Sequence, residues 1–417
     1  MLELSGPVIV TLELNDSCAA GNCPGCPKHF KGDCQPMSLV EWEKVIGKLD
    51  VYVQEYHVSG GEPTEHGQFF EILSILEKKG KFYHLFTNGL WKDADRILEG
   101  FTSCAHLNTI NFSLHGPNYD VHNAFTQNLE PGKFETLLDN IRLAYSAGYS
   151  VNTNTVLHKE NLEHIEEIAE LATELGANHA IFSRYVGPQS DRLDISPDEL
   201  AKAAAKIEEL KSQGYNAILG NCIPFCHFKS PTAACFAGVT LASVDPCGSL
   251  KPCTFSGIRA GSLLKEEVTA VWRSKIMKKW RSRLPSQCKK CVKLSSCPGG
   301  CKAVSDFLEL PHDPLVGETV KKTEQPQVLD VTLEEDLCPL ARYIMRKEDF
   351  GWILIKGNQV IPVRQRAEKI LMKLDGTVTL GEIQKEFGSG ALSFIYSLYV
   401  RDFIEFRART DDEEAKN

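Results

Sequence analysis

The sequence is short of several things. No apolar run approaches the ~18 residues that a membrane-crossing helix needs, so no membrane partner is expected. There is no basic excess. The 417 residues carry a net charge of −9, which weighs against nucleic acid as the main partner. The opening, "MLELSGPVIVTLELND", has no basic segment and no small-residue cleavage site. It does not read as a signal peptide, and a cytoplasmic location is expected. From about residue 350 onward there is no cysteine at all. Disorder is not expected either, because apolar residues make up 42% of the chain.

What is present is cysteine, 15 in all, unevenly placed. Four lie between Cys18 and Cys34, Cys104 stands alone, and ten fall between Cys222 and Cys338. In a reducing compartment such numbers point to metal rather than to disulfides. The distribution also divides the chain into three regions, and its length allows two or three cores.

In the first region strands alternate with helical patterns. Strand candidates are 8–13, 51–58, 82–87, 107–114, 150–156 and 179–185. Helical patterns such as "SLVEWEKVIGKL" and "NLEHIEEIAELATELG" lie between them. Six βα units in a row predict an α/β fold with a parallel sheet, open or barrel-like. Function in such sheets collects at the C-terminal ends of the strands. There the first strand meets "CAAGNCPGC", with Cys18, Cys23 and Cys26 spaced C-x4-C-x2-C. The second strand runs into "SGGEPTEH", the third into "FTNG" and the fourth into "NFSLHG". The fifth carries Asn152 and Asn154. Paired glycines let backbone groups approach a ligand closely. A single polar residue at a strand end is usually a turn former, but here polar residues cap strand after strand.

With these residues in place, the chain resembles the radical S-adenosylmethionine (SAM) enzymes. The resemblance implies a partial (β/α)6 TIM-like barrel over residues 1–210. It also implies that Cys18, Cys23 and Cys26 hold a [4Fe–4S] cluster and are the catalytic cysteines. The fourth iron stays open for SAM, as open positions in reactive metal sites do. By the same resemblance Gly60, Gly61, Glu62 and Pro63 bind the methionine moiety of SAM. Asn88, Ser113, Asn154 and Arg184 are further expected contacts. The family spacing is C-x3-C-x2-C, so this chain has one extra loop residue. A zinc loop completed by Cys34 is the competing reading, and it leaves the GGEP and TNG turns unexplained.

The second region, 211–345, contains "CIPFCHF", Cys235, "CGSLKPC", "CKKCVKLSSCPGGC" and Cys338. Lone C-x2-C pairs are often zinc sites. This order of seven cysteines resembles instead the SPASM extension, which implies two auxiliary [4Fe–4S] clusters and three in total. Carried over, Cys288, Cys291, Cys297 and Cys338 bind one. Cys235, Cys253 and Cys301 bind the other, completed by Cys226 or alternatively by Cys222. Cys34, Cys104 and Cys247 are expected to be ordinary small buried residues. The stretch 310–327 reads as a loop.

The third region, 346–417, offers the hairpin "GWILIKGNQVIPV", then three short helices and a last strand. Thr379 is an expected N-cap. The pattern is similar to small winged-helix-like α+β domains of the PqqD type, which implies a leader peptide added as an extra strand. DNA binding is the other use of a winged helix. From residue 350 onward ten Lys/Arg face ten Asp/Glu, too little positive charge for a DNA reader.

The combined expectation is a peptide-modifying radical SAM/SPASM enzyme. Its partners would be SAM, a precursor peptide held by its leader, and an electron donor such as flavodoxin or ferredoxin. The alternatives are maturation of a cofactor or haem, or modification of a protein side chain as in sulfatase maturation. A cluster-bearing DNA regulator is the non-enzyme reading.

Overall fold

A computed structural model describes residues 3–20, 23–27, 35–220, 222–228, 234–294, 296–317, 334–357 and 359–409. Cys34, Gly21 of the first cysteine loop and most of the 310–327 loop lie outside the described residues. The chain divides into two compact units, Gly6–Lys322 and a second made of Met1–Ser5 with Thr323–Asn417.

The larger unit is built on one ten-stranded sheet. Its parallel core comprises β1 (Ile9–Glu13), β2 (Glu55–Ser59), β3 (Phe82–Thr87), β4 (Leu107–Ser113), β5 (Val151–Leu157) and β6 (His179–Arg184). These are the six expected strands. The second begins four residues late, because the amides of Tyr52 and Val53 both turn back onto the Leu49 carbonyl at the preceding helix end. Two further parallel strands escaped the sequence reading. The three-residue β7 (Ala217–Leu219) pairs with β6, and β8 (Leu241–Val244) pairs with β1 on its other side. β9 (Ser249–Lys251) and β10 (Gly261–Ser262) extend that edge antiparallel.

Helices Leu39–Leu49, Phe69–Lys78, Ala94–Phe101, Lys133–Ser146, Ile165–Glu174 and Pro197–Ser212 separate the strands. Ser38 and Glu41 close the first with a reciprocal capping box, and Ser196 with Glu199 closes the last. Their apolar stripes bury Trp42, Phe69 and Leu137 against strand residues such as Val10, Tyr56 and Phe112, and Ile168 against Leu157 and Phe182. A parallel sheet needs such cover. Every βα loop therefore opens at the C-terminal end of the sheet.

In the smaller unit β12 (Ile344–Glu348), β13 (Gly351–Lys356) and β14 (Gln359–Arg364) form an antiparallel meander, after β11 (Cys338–Ala341). β11 pairs with β15 (Ile404–Arg407). Helices Leu380–Phe387, capped by Thr379, and Ser389–Tyr399 pack Ile383, Ile395 and Leu398 onto Leu354 and Val363. The helix expected over 364–375 is only one turn, Glu368–Leu371, followed by turns before Gly376.

Candidate functional site

Three turns interlock where β1, β2 and β3 end. The Leu14 amide donates to the Ser59 carbonyl at 2.8 Å, continuing the β1–β2 pairing into the loops. The amides of Gly61 and Glu62 then donate to the carbonyls of Asn15 and Ser17, both at 2.6 Å. The Asn15 side-chain amide returns a bond to the Glu62 carbonyl at 2.9 Å. Only glycine fits there. Gly60 has φ +146°, and a Cβ on Gly61 would lie 2.0 Å from the Ser17 carbonyl oxygen. Glu65 fixes the same loop, accepting from Ser17 Oγ at 2.8 Å and from the Ala19 amide at 3.1 Å.

Glu62 is the junction of these turns. Its buried carboxylate accepts from Thr64 Oγ1 at 2.7 Å, Thr87 Oγ1 at 2.8 Å and the Asn88 amide at 2.7 Å. Burial pushes its pKa up, and those donors oppose the rise. Asn88 in turn directs its side-chain amide at Cys18 Sγ, 3.5 Å away. The GGEP and TNG turns thus hold the first cysteine in place. Cys23 packs with Phe125, Tyr185 and Leu193, and the Cys26 amide donates to the Cys23 carbonyl at 3.0 Å. Three thiols are presented at the end of β1, with no fourth Cys or His from the described part of this loop.

Ser113 and Asn154 are register partners on β4 and β5. Asn154 Oδ1 accepts from Ser183 Oγ at 2.8 Å, which adds Ser183 to the row; a lone serine gave no signal in the sequence. Behind them His115, His122 and His158 are buried with Phe125. The Val156 amide donates to His115 Nδ1 at 3.2 Å, and the His115 amide to His122 Nδ1 at 3.1 Å. Burial holds all three imidazoles neutral, His122 at about 3 and His158 at about 4.

Arg184 does not fit its expected role. Its guanidinium is taken by Asp313, at 2.7 and 3.0 Å, and by the Cys222 carbonyl at 3.2 Å. Asp313 also accepts from the Cys301 amide at 2.7 Å. A fork bound at both tines to a buried carboxylate acts as a structural clamp.

The cysteines of 222–301 gather in two sets. Cys222 hydrogen-bonds with Cys235 and Cys301, and Cys253 lies in the field of the same two. Cys222 and Cys301 also share one apolar cluster with Val186 and Val304. Cys226 instead neighbours Cys291 and Cys297, and Cys288 neighbours Cys226, Cys291 and Cys297. The preferred allocation of Cys226 is therefore corrected. Cys222 stands with Cys235, Cys253 and Cys301, and Cys226 stands with the C-x2-C-x5-C set. Three residues lie between the two cysteines, and the chain passes from one set to the other across them. Cys338 belongs to the smaller unit, where it opens β11 and is fully buried. Cys247, expected as an isolated thiol, is disulfide-bonded.

As thiols these sets are strained electrostatically. Hydrogen bonds to Cys235 and Cys301, then burial, push Cys222 up, while Cys235 is drawn down to about 7 by its bond with Cys222. Burial and its three neighbours push Cys288 up to about 11. A polycationic core would reverse that cost, because thiolates are its ligands. Among the described residues no three His, Cys, Asp or Glu side chains close round a point tightly enough for a single metal ion. An iron–sulfur core is wider than one ion, and quartets of thiols are its donor set.

Comparison with known proteins agrees with this geometry. Residues 13–172 match the Radical SAM superfamily, and 235–292 match SPASM, an iron-sulfur cluster-binding domain. The chain is 26% identical to the AdoMet-dependent heme synthase of Methanosarcina barkeri over 282 residues, 60% of this chain and 79% of that one. It is 23% identical to the PqqA peptide cyclase of Granulibacter bethesdensis over 72% of this chain and 84% of the relative. Mycofactocin maturase MftC of Mycobacterium tuberculosis is 25% identical over 78% and 85%. Among solved structures, Streptococcus suis SuiB bound to its precursor peptide SuiA superposes with a TM-score of 0.61 at 18% identity, covering 75% and 76%. No helix among the described residues is long and apolar enough to cross a membrane. The α/β sheet with its three-cysteine loop matches the radical SAM domain, the cysteine-rich segment behind it matches the SPASM domain, and the chain is an enzyme that carries both matches.

Proposed function

We propose that this enzyme modifies a ribosomally made precursor peptide, held through its leader on the smaller unit. The observation that carries the radical chemistry is the Glu62 junction, which fixes Cys18 beside two ligand-facing turns. Cys18, Cys23 and Cys26 would hold the catalytic [4Fe–4S] cluster. Gly60, Gly61, Glu62, Pro63, Asn88, Ser113 and Asn154 would surround SAM. Such a cluster would supply the electron for reductive cleavage of SAM and, through it, removal of a hydrogen from the substrate. The chain's own part is to orient these groups and exclude water. The quartets Cys222/Cys235/Cys253/Cys301 and Cys226/Cys288/Cys291/Cys297 would hold two auxiliary clusters, fed by a flavodoxin- or ferredoxin-like donor.

Peptide as substrate is favoured by relatives named for peptide cyclisation and maturation. The sheet edge of the smaller unit suits a leader. Glu348 pairs with Gly351, and Lys356 with Gln359, each across a two-residue turn. Such closing pairs are hydrogen-bonded, and the alternation follows from them. On β14 the outward groups are then those of Val360, Pro362 and Arg364, and Pro362 has no N–H. On β12 they are those of Met345 and Lys347, both with donors. We place the added strand on β12 rather than along the 352–363 hairpin edge. Tethering there raises the effective concentration of the peptide core at the barrel.

The test is anaerobic incubation of the full chain with SAM, reductant and the peptide encoded beside its gene, followed by mass spectrometry. A mass change with 5′-deoxyadenosine formation is expected. Uncoupled SAM cleavage with an unmodified peptide would favour the second reading, a small-molecule or haem substrate, for which the heme synthase relative speaks.

A further inference from the structure

Lys302 directly follows Cys301, and it is buried. The residue is 8% exposed. Burying an ammonium is costly unless an opposite charge meets it. Among the described residues Lys302 has no carboxylate partner. Asp313, the nearby buried acid, is committed to Arg184. Among the described residues the Lys302 ammonium makes one hydrogen bond, a long one from Nζ to the Pro298 carbonyl at 3.5 Å. The ammonium lies 6.0 Å from the centre of the Trp280 ring, whose indole N–H donates to the Ala237 carbonyl at 2.9 Å.

These contacts place Lys302 between the two cysteine sets. Its backbone adjoins Cys301 of one quartet, and its ammonium reaches the carbonyl next to Cys297 of the other. Trp280 beside it is tied to the loop of Cys235. The cysteines whose charge reaches the ammonium are Cys235 and Cys301 from the first set and Cys288 from the second, and the Arg283 guanidinium, itself paired with Asp306, opposes them. The missing counter-charge is therefore on both sides of it, in cysteine sulfur.

We propose that Lys302 is the shared counter-ion of the two auxiliary clusters and sets their reduction potentials. This rests on the proposal that both quartets hold clusters. A core ligated by four thiolates is anionic, and a one-electron reduction makes it more so. A fixed cation in a low-dielectric site favours the reduced form. By serving both clusters at once, Lys302 would hold both within reach of the same donor.

The experiment uses full-length protein, reconstituted anaerobically, in a Cys18→Ala/Cys23→Ala/Cys26→Ala background so that only auxiliary clusters report. Iron is counted, and the clusters are titrated with dithionite under electron paramagnetic resonance. Lys302→Met and Lys302→Gln should keep about eight irons, on four per cluster. They should shift the reduced-to-oxidised ratio of at least one cluster at least tenfold toward oxidised, ~59 mV for one electron. Lys302→Arg should restore most of it. Unchanged potentials in a fully loaded Lys302→Met protein would overturn the proposal. Should both neutral variants lose iron, Lys302→Arg decides: retention shows that the charge is needed, and loss assigns Lys302 to packing alone. A background protein with no auxiliary iron before Lys302 is changed would instead sink the two-cluster reading.

Discussion

Arg184 and Asp313 meet across 129 residues of sequence, guanidinium to carboxylate, at 2.7 and 3.0 Å. Arg184 ends β6, and Asp313 lies 12 residues beyond Cys301. Between them they hold the Cys222 carbonyl and the Cys301 amide. The pair fastens one cysteine quartet to the parallel sheet.

Removing one partner should be worse than removing both. Asp313→Ala leaves a buried guanidinium unpaired, a loss of about 3–5 kcal/mol for such pairs. It should release the iron of the Cys222 quartet, about four atoms. The Arg184→Leu/Asp313→Leu double variant should recover part of that stability. Iron assay and urea unfolding of the single and double variants measure the coupling. Additive effects would show that the two side chains act independently.

The cysteine sets give separable losses. Cys18→Ala/Cys23→Ala/Cys26→Ala should remove about four of about twelve irons and all SAM cleavage. Cys222→Ala and Cys226→Ala should each disturb a different auxiliary signal in electron paramagnetic resonance. Identical spectra for these two variants would return Cys222 and Cys226 to a single site.

Gly61→Val tests the glycine turn. From the sequence, the paired glycines are expected to let backbone groups approach SAM closely, so a side chain here would weaken SAM binding alone. The structure moves the collision to the Ser17 carbonyl, one residue from Cys18. Iron at the first cluster should therefore fall together with SAM affinity, while auxiliary iron persists. Full iron with weak SAM binding would restore the earlier expectation.

The sheet was legible in the sequence because β-branched runs alternate with amphipathic helical patterns and because motifs sit at strand ends. β7 and β8 were not, since three- and four-residue strands are shorter than any periodicity can mark. Cys18, Cys23, Cys26 and the GGEP turn stood out in the sequence through their resemblance to a family's motifs. Arg184 misled, because a strand-end arginine carries no sign of a carboxylate 129 residues later. The split of Cys222 from Cys226 was equally hidden: both occupy one short loop, and only the fold sends them to different neighbours. Nothing in the sequence marked Glu65 or Lys302.

The three buried histidines predict a pH dependence. A histidine whose pKa falls on folding stabilises the fold fully above its unfolded value, near 6.5. That stability is lost as pH drops through the interval down to the folded values, about 3 for His122 and about 4 for His158. Each such group removes about 1.4 kcal/mol per pH unit once the unfolded state is protonated. His122→Asn keeps an acceptor for the His115 amide and removes one titrating ring. Its urea midpoint should fall less between pH 7 and pH 5 than that of the parent. Parallel pH profiles would show that His122 is not neutral in the folded protein.

The leader edge can be tested without disturbing any cysteine. The outward N–H of Met345 or Lys347 is removed by proline, while the inward bonds of Ile344, Arg346 and Glu348 to β13 remain. Each net hydrogen bond is worth about 0.5–1.5 kcal/mol, so a single proline should weaken leader binding by up to roughly tenfold. Val360→Pro removes a donor from the other edge, where Pro362 already interrupts the row, and should leave affinity unchanged. Calorimetry of the full chain with the leader peptide reads both, and the iron count shows that the clusters are untouched. Weakening by Val360→Pro but not by Met345→Pro would move the leader to β14. Binding that resists all three prolines would mean that no strand is added at either edge, and the cofactor-maturation reading would then stand ahead.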